Sequence, residues 1–172
     1  EIISEKSGLS KKSISMNNND FADFESNISK EVFGQNKNIE EINNILSCAK
    51  VGLNDPNKPL CSLFFVGPTS VGKTYTAKKI AKHFYGNEKS FIQINMSEYQ
   101  EKTGISKLIG ANAGYVGFEQ GGLLTEFVKN NPNCVVLFDE IEKCDPEILN
   151  VLLHLLDEGY VNDNLNNKIS FT

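Results

Sequence analysis

Leu60-Cys61-Ser62-Leu63-Phe64-Phe65-Val66-Gly67-Pro68-Thr69-Ser70-Val71-Gly72-Lys73-Thr74 is the stretch on which the fold turns. Leu60 to Val66 is a short apolar run that reads as a buried strand of a parallel sheet. Glycine and proline then punctuate it, and a helix follows to about Tyr85. Gly67 to Thr74 satisfies G-x-x-x-x-G-K-[ST] in full, with a strand running in and a helix running out. The residue types suit a phosphate. The glycines let the backbone curl so that successive N–H groups face phosphate oxygens. A helix N-terminus adds about half a positive charge. Lys73 supplies a full charge to β- and γ-phosphates, and the Thr74 hydroxyl can ligate Mg2+. Gly67, Pro68, Thr69, Ser70, Val71, Gly72, Lys73 and Thr74 are therefore the expected nucleotide-binding loop. An ordinary Gly-rich turn would leave Lys73-Thr74 unexplained.

Upstream, Ile39, Ile42, Ile45, Leu46 and Ala49 recur at helical spacing, predicting a helix over about 38–51 that Gly52 can end. Residues 1–30 are polar and read as a linker or short helical approach outside the core. Downstream, Phe91-Ile92-Gln93-Ile94 is a second strand, short helices fill 97–109, and a Gly-rich loop runs 110–122. Leu123 to Lys129 is helical, and Cys134-Val135-Val136-Leu137-Phe138 is a third buried strand. Asp145-Pro146 is a strong helix start, and Gly159 can close that helix. Strands alternating with helices at this spacing give an α/β domain with a parallel sheet.

Asp139 and Glu140 follow the third strand directly. Ligands of open α/β sheets bind at the carboxyl ends of strands, the same edge that carries the phosphate loop. Asp139 would hold the Mg2+ water shell and Glu140 would polarise the attacking water, which makes γ-phosphate hydrolysis the leading chemistry. His83 and His154 have no serine or carboxylate pattern beside them and read as structural or surface histidines.

The chain has 172 residues, enough for one domain with its own core. Its net charge is −5, and all 17 basic residues are lysine. A duplex-binding domain carries the opposite balance, so non-specific nucleic-acid binding is not expected. No apolar run is long enough to span a bilayer, and Glu1 to Lys12 lacks the apolar region of a secretory signal. Cys48, Cys61, Cys134 and Cys144 lack metal-ligand spacing and read as reduced thiols.

These motifs, in this order, resemble the Clp class of AAA+ unfoldases, most closely the second ATPase module of ClpA, with similarity to ClpC and ClpB. The resemblance covers about residues 30–172. It rests on Val32-Phe33-Gly34-Gln35, Ala49-Lys50-Val51-Gly52-Leu53, the phosphate loop and Met96-Ser97-Glu98-Tyr99. It continues through Leu108-Ile109-Gly110-Ala111, then Gly114-Tyr115-Val116-Gly117-Phe118-Glu119-Gln120-Gly121-Gly122-Leu123-Leu124-Thr125-Glu126, and Asp139-Glu140-Ile141-Glu142-Lys143. It implies a P-loop NTPase sheet flanked by helices, ATP and Mg2+ as cofactors, and ATP hydrolysis coupled to protein unfolding. Val32, Phe33 and Gly34 would line the adenine pocket, with Phe33 offering apolar surface. Tyr115, flanked by Gly114, Val116 and Gly117, would grip an unfolded polypeptide in the pore of a homo-hexamer. A ClpP-type peptidase is a further implied partner, in a bacterial cytoplasm or an organelle stroma, with no nucleic acid and no membrane. A ClpB-like disaggregase, a nucleotide-binding fragment without efficient hydrolysis and a nucleic-acid motor are the competing readings.

Four departures from the family pattern stand out. Ser70 occupies a usual glycine position, where a positive φ would be strained. Asn112-Ala113 replaces a usual Pro-Pro, Lys107 replaces an arginine, and Asn166-Asn167-Lys168 replaces a Gly-Arg hairpin turn that asparagine can still form. The family's last strands, its sensor residue, its trans-acting arginine and its helical lid would follow Thr172. The expectation is thus a lead-in over 1–30 and the N-terminal portion of an ATPase large subdomain over 31–172. On its own that portion would hydrolyse ATP weakly or not at all, and Leu60–Val66 would have no neighbouring strand.

Overall fold

The computed structural model describes residues 20–111 and 121–172. They fall into two compact units, one of residues up to 55, 60–92 and 133–137, the other of 56–59, 93–132 and 138–172.

The first unit is helical at its core. Helix α1 (Asp20–Glu31), α2 (Asn36–Lys50) and α3 (Lys73–Tyr85) pack together. Ile39, Ile42, Leu46 and Ala49 form the buried face of α2, as their spacing predicts, whereas Ile45, grouped with them in the sequence, lies at the edge of that face and is exposed. The stretch before residue 31 departs from expectation. Phe24 and Ile28 of α1, with Val32 beyond its end, lie four residues apart and are 5%, 1% and 5% exposed in the same core. They escape a composition reading because polar residues surround them, yet one apolar residue per turn on one face suffices to dock a helix. Each such burial contributes about 1.5–3 kcal/mol.

Glu31 closes the junction of α1 and α3. Its carboxylate pairs with Lys79, with His83 Nε2 at 2.8 Å and with Lys82 at 3.7 Å. The Lys79 and His83 hydrogen bonds hold its pKa down at about 2, outweighing desolvation. His83 is thus a structural partner, as the sequence implies.

Leu60–Val66 is not a strand among the described residues. Its exposure nonetheless alternates: Cys61, Leu63 and Phe65 pack on the first unit's core, whereas Phe64 and Val66 are 79% and 80% exposed. The period of two is that of an extended chain. A strand also needs a hydrogen-bonded neighbour, and no described strand pairs with this segment. The expectation of burial on both faces fails for the same reason, since a face is covered only where a layer lies against it.

Strands β1 (Phe91–Asn95) and β2 (Val135–Asp139) form a two-stranded sheet. The Val135 N–H donates to the Ser90 carbonyl at 2.9 Å, so the two strands start side by side and run parallel. All five β2 residues are half-buried, less than the sequence predicts for that run.

The second unit is organised by α4 (Gly104–Ile109), α5 (Leu123–Asn130) and α6 (Pro146–Glu158), with two one-turn 3-10 helices at 96–98 and 141–143. Leu108, Leu124, Val128, Ile148, Leu152 and Leu155 are among its buried apolar residues. The Asp145 carboxylate accepts from the Glu147 N–H at 2.8 Å, and Pro146 takes the first helical position, as predicted for this start. A hairpin of β3 (Tyr160–Asn162) and β4 (Lys168–Ser170) follows, with Val161 opposite Ile169. Asn166 takes φ 60° in the turn, the left-handed conformation that asparagine tolerates.

Asp163 holds that turn. Its Oδ1 accepts from the Leu165 and Asn167 N–H groups, both at 2.8 Å, and its Oδ2 from Asn167 Nδ2 at 2.9 Å. Desolvation alone would raise its pKa, but the Asn167 and Leu165 hydrogen bonds outweigh it and leave the carboxyl below its ordinary 3.8. A depressed folded-state pKa means stabilisation that is complete above the unfolded value and lost as pH falls through the folded one. Asp163→Ala should therefore cost about 2 kcal/mol at neutral pH. The difference from wild type should shrink at an acid pH, below the ordinary 3.8. Urea unfolding at the two pH values checks both.

Candidate functional site

Loop 67–74 turns at its second glycine. Gly72 sits at φ 89°, and α3 begins at Lys73 without a side-chain cap on its first turn. Its leading N–H groups are those an anion at a helix N-terminus would meet. Ser70 has φ 64°, so the strain expected of a side chain at this point is present. Such a residue costs about 1–2 kcal/mol relative to glycine. Lys73 Nζ donates to the carbonyls of Gly67 at 2.8 Å and Pro68 at 2.7 Å, which folds the ammonium back over the loop.

Thr74 and Asp139, taken one by one, have the donor chemistry that a magnesium–nucleotide calls for. Mg2+ favours one or two protein oxygens completed by phosphates and water over an all-protein cage. The Thr74 hydroxyl and Asp139 carboxylate are hard oxygens of that kind, and no group of three or more His, Cys, Asp or Glu forms a cage among the described residues.

Val32, Phe33 and Gly34, the expected adenine contacts, separate by environment. Val32 belongs to the core, so only its backbone remains for a base edge. Phe33 is 83% exposed, presenting its ring as apolar surface, and Gly34 turns the chain at φ 75°. These three residues and loop 67–74 lie in the first unit, Asp139 and Glu140 in the second. Gly114, Tyr115, Val116 and Gly117 fall outside the described residues.

Asp139 ends β2, and Glu140 leaves the strand at φ 56°, ψ 42°, a left-handed turn made by a residue other than glycine. Non-glycine residues held there cost of order 1–3 kcal/mol and cluster at functional sites. The Glu140 carboxylate meets Lys143 Nζ at 2.9 Å, and that hydrogen bond raises the lysine's pKa. Gln93 Nε2 donates to Asp139 Oδ2 at 2.9 Å. Sequence reasoning passes over both neighbours. Lys143 could have been found three residues after Glu140, whereas Gln93 becomes visible only once the strand pairing is known.

Burial pushes the Cys61 thiol up and carries Cys134 to about 11, so both pack as small apolar groups. Among the described residues no helix is long and apolar enough to cross a membrane.

A family model described as AAA domain (Cdc48 subfamily) matches residues 58–172. The chaperone protein ClpB of Malacoplasma penetrans is 50% identical over 145 residues, 84% of this chain and 21% of that protein. ClpB of Mycoplasma pneumoniae is 44% identical over 172 residues, 99% of this chain and 24% of that protein. Chloroplastic ClpD of Arabidopsis thaliana is 46% identical over 140 residues, 81% of this chain and 15% of that protein. The chain thus spans at most about a quarter of the length of these relatives.

Proposed function

The chain belongs to the AAA domain family, in its Clp class, and from that premise we propose that it is the ATP-binding and hydrolysing module of a Clp-type protein unfoldase. The observation that carries the reading is the loop 67–74: a complete phosphate motif with Gly72 left-handed, α3 opening at Lys73 and no side chain capping that helix. Residues 31–172 would form the N-terminal portion of the ATPase large subdomain, with α1 of the lead-in docked on it.

In this reading the α3 N-terminus and the loop N–H groups bind the phosphates, and Lys73 exchanges the Gly67 and Pro68 carbonyls for phosphate oxygens. Thr74 and Asp139 would hold Mg2+, which when bound draws charge off the phosphate oxygens. Glu140 would orient and polarise the attacking water, and Phe33 with the Val32–Gly34 backbone would take the adenine. Tyr115, between Gly114 and Val116-Gly117, would grip an unfolded polypeptide in a homo-hexamer pore, because an aromatic ring holds many side-chain types by dispersion. The proposed compartment is the bacterial cytoplasm or an organelle stroma.

Delivery to a ClpP-type peptidase and remodelling without one both fit this chemistry. The relatives named as ClpB chaperones favour giving the second, disaggregase reading a place beside the first.

Lys73→Met tests the site. It keeps the length of the side chain and removes its charge. Calorimetry on the full-length protein should show ATP affinity falling by about tenfold to a hundredfold, the loss of one or two charge-assisted hydrogen bonds. Unchanged affinity would end the phosphate-loop assignment.

A further inference from the structure

β1 presents its residues alternately, with Ile94 buried and Gln93 and Asn95 exposed. Gln93 and Asp139 belong to the same unit, on neighbouring parallel strands. Across that pairing the Gln93 amide Nε2 lies 2.9 Å from Asp139 Oδ2.

Resting on the reading of Asp139 as a ligand to nucleotide-bound magnesium or its water shell, we propose that Gln93 is a positioning residue for that carboxylate. Two physical points carry the inference. An Asp side chain at a strand end has two torsions, and a donor fixed on the adjacent strand pins one oxygen and so sets the direction of the other. The donor is also neutral. An ammonium or guanidinium at 2.9 Å would orient the carboxylate while opposing the charge a divalent cation needs, whereas the Gln93 amide orients it without adding positive charge of its own. Gln93 touches neither nucleotide nor metal in this scheme and acts through Asp139 alone.

The test separates magnesium dependence from nucleotide binding. Affinity of the full-length protein for a fluorescent ATP analogue is measured with excess Mg2+ and with EDTA, for wild type, Gln93→Met, Gln93→Leu and Asp139→Asn. Both Gln93 variants remove the donor and keep an unbranched or γ-branched side chain of similar size. The magnesium-dependent gain in affinity should fall about three- to tenfold in them, the loss of one orienting hydrogen bond. Affinity in EDTA should stay at the wild-type value. The Mg2+ concentration for half-maximal effect should rise by a similar factor.

If both Gln93 variants keep the full magnesium gain while Asp139→Asn loses it, Gln93 has no positioning role and the magnesium reading of Asp139 stands. If Asp139→Asn also keeps the gain, the reading of Asp139 itself fails. If affinity in EDTA falls in step with that in Mg2+, the substitutions act on the fold and the positioning role is refuted.

Discussion

Replacing Glu140 with glutamine should slow ATP hydrolysis by about 10²–10⁴-fold in the full-length protein and leave nucleotide affinity near its wild-type value. The carboxylate is the group that would draw a proton from the attacking water, and an isosteric amide cannot accept it. The local structure argues that the substitution does little else. Glu140 is half-exposed, and its partner Lys143 at 2.9 Å is equally open to solvent. Exposed ion pairs contribute about 0–1 kcal/mol, so thermal stability should change little. The left-handed backbone at Glu140 is a property of the turn, with its carbonyl accepting from the Lys143 N–H at 2.9 Å, and glutamine suffers it equally. Hydrolysis is followed by phosphate release and binding by calorimetry on the same preparation. Turnover equal to wild type, with binding retained, would remove Glu140 from the chemistry. Loss of binding along with turnover would place it in nucleotide recognition instead.

The parts of the chain that can be read in advance are those where one residue type solves one local problem. Gly72 has a backbone only glycine enters freely, Asp145-Pro146 supplies an acceptor and a preset φ at a helix start, and Asn166 takes the left-handed turn. Such solutions are written in single residues or adjacent pairs. What escapes a reading of the chain depends on a second surface. Phe24 and Ile28 look like isolated apolar residues in a polar lead-in until α2 and α3 are there to receive them. Leu60–Val66 reads as a buried strand, yet Phe64 and Val66 lie open, because cover is given by a second layer that its own residues cannot supply. The candidate site divides in the same way. Lys73, Asp139 and Glu140 are legible from a motif, while Gln93 and Asp139 are 46 positions apart and meet only through strand pairing.

Gly159→Ala should be among the most destabilising small substitutions in the chain, at about 3–4 kcal/mol. Two costs combine at this position. Gly159 ends α6 at φ 67°, where an alanine Cβ costs about 1–2 kcal/mol. The space is also taken: a Cβ would come within 2.1 Å of the Asn57 carbonyl oxygen and 2.8 Å of Thr172 Cγ2. A side-chain methyl can swing aside, but a backbone oxygen moves only with its chain. Nor can Gly159 retreat, since its N–H donates to Leu155 O at 2.9 Å and its carbonyl accepts from the Phe171 N–H at 2.8 Å. The helix end and the hairpin return are thus fixed to the same residue, and moving it breaks one of them. Gly52 separates the two costs. It has φ 77°, and a Cβ there would meet nothing within 4 Å, so Gly52→Ala should lose only the conformational part, about 1 kcal/mol. Urea unfolding of both variants gives the difference directly. Equal losses would mean that Asn57 yields to the new methyl group and that the close approach at Gly159 carries no energetic weight.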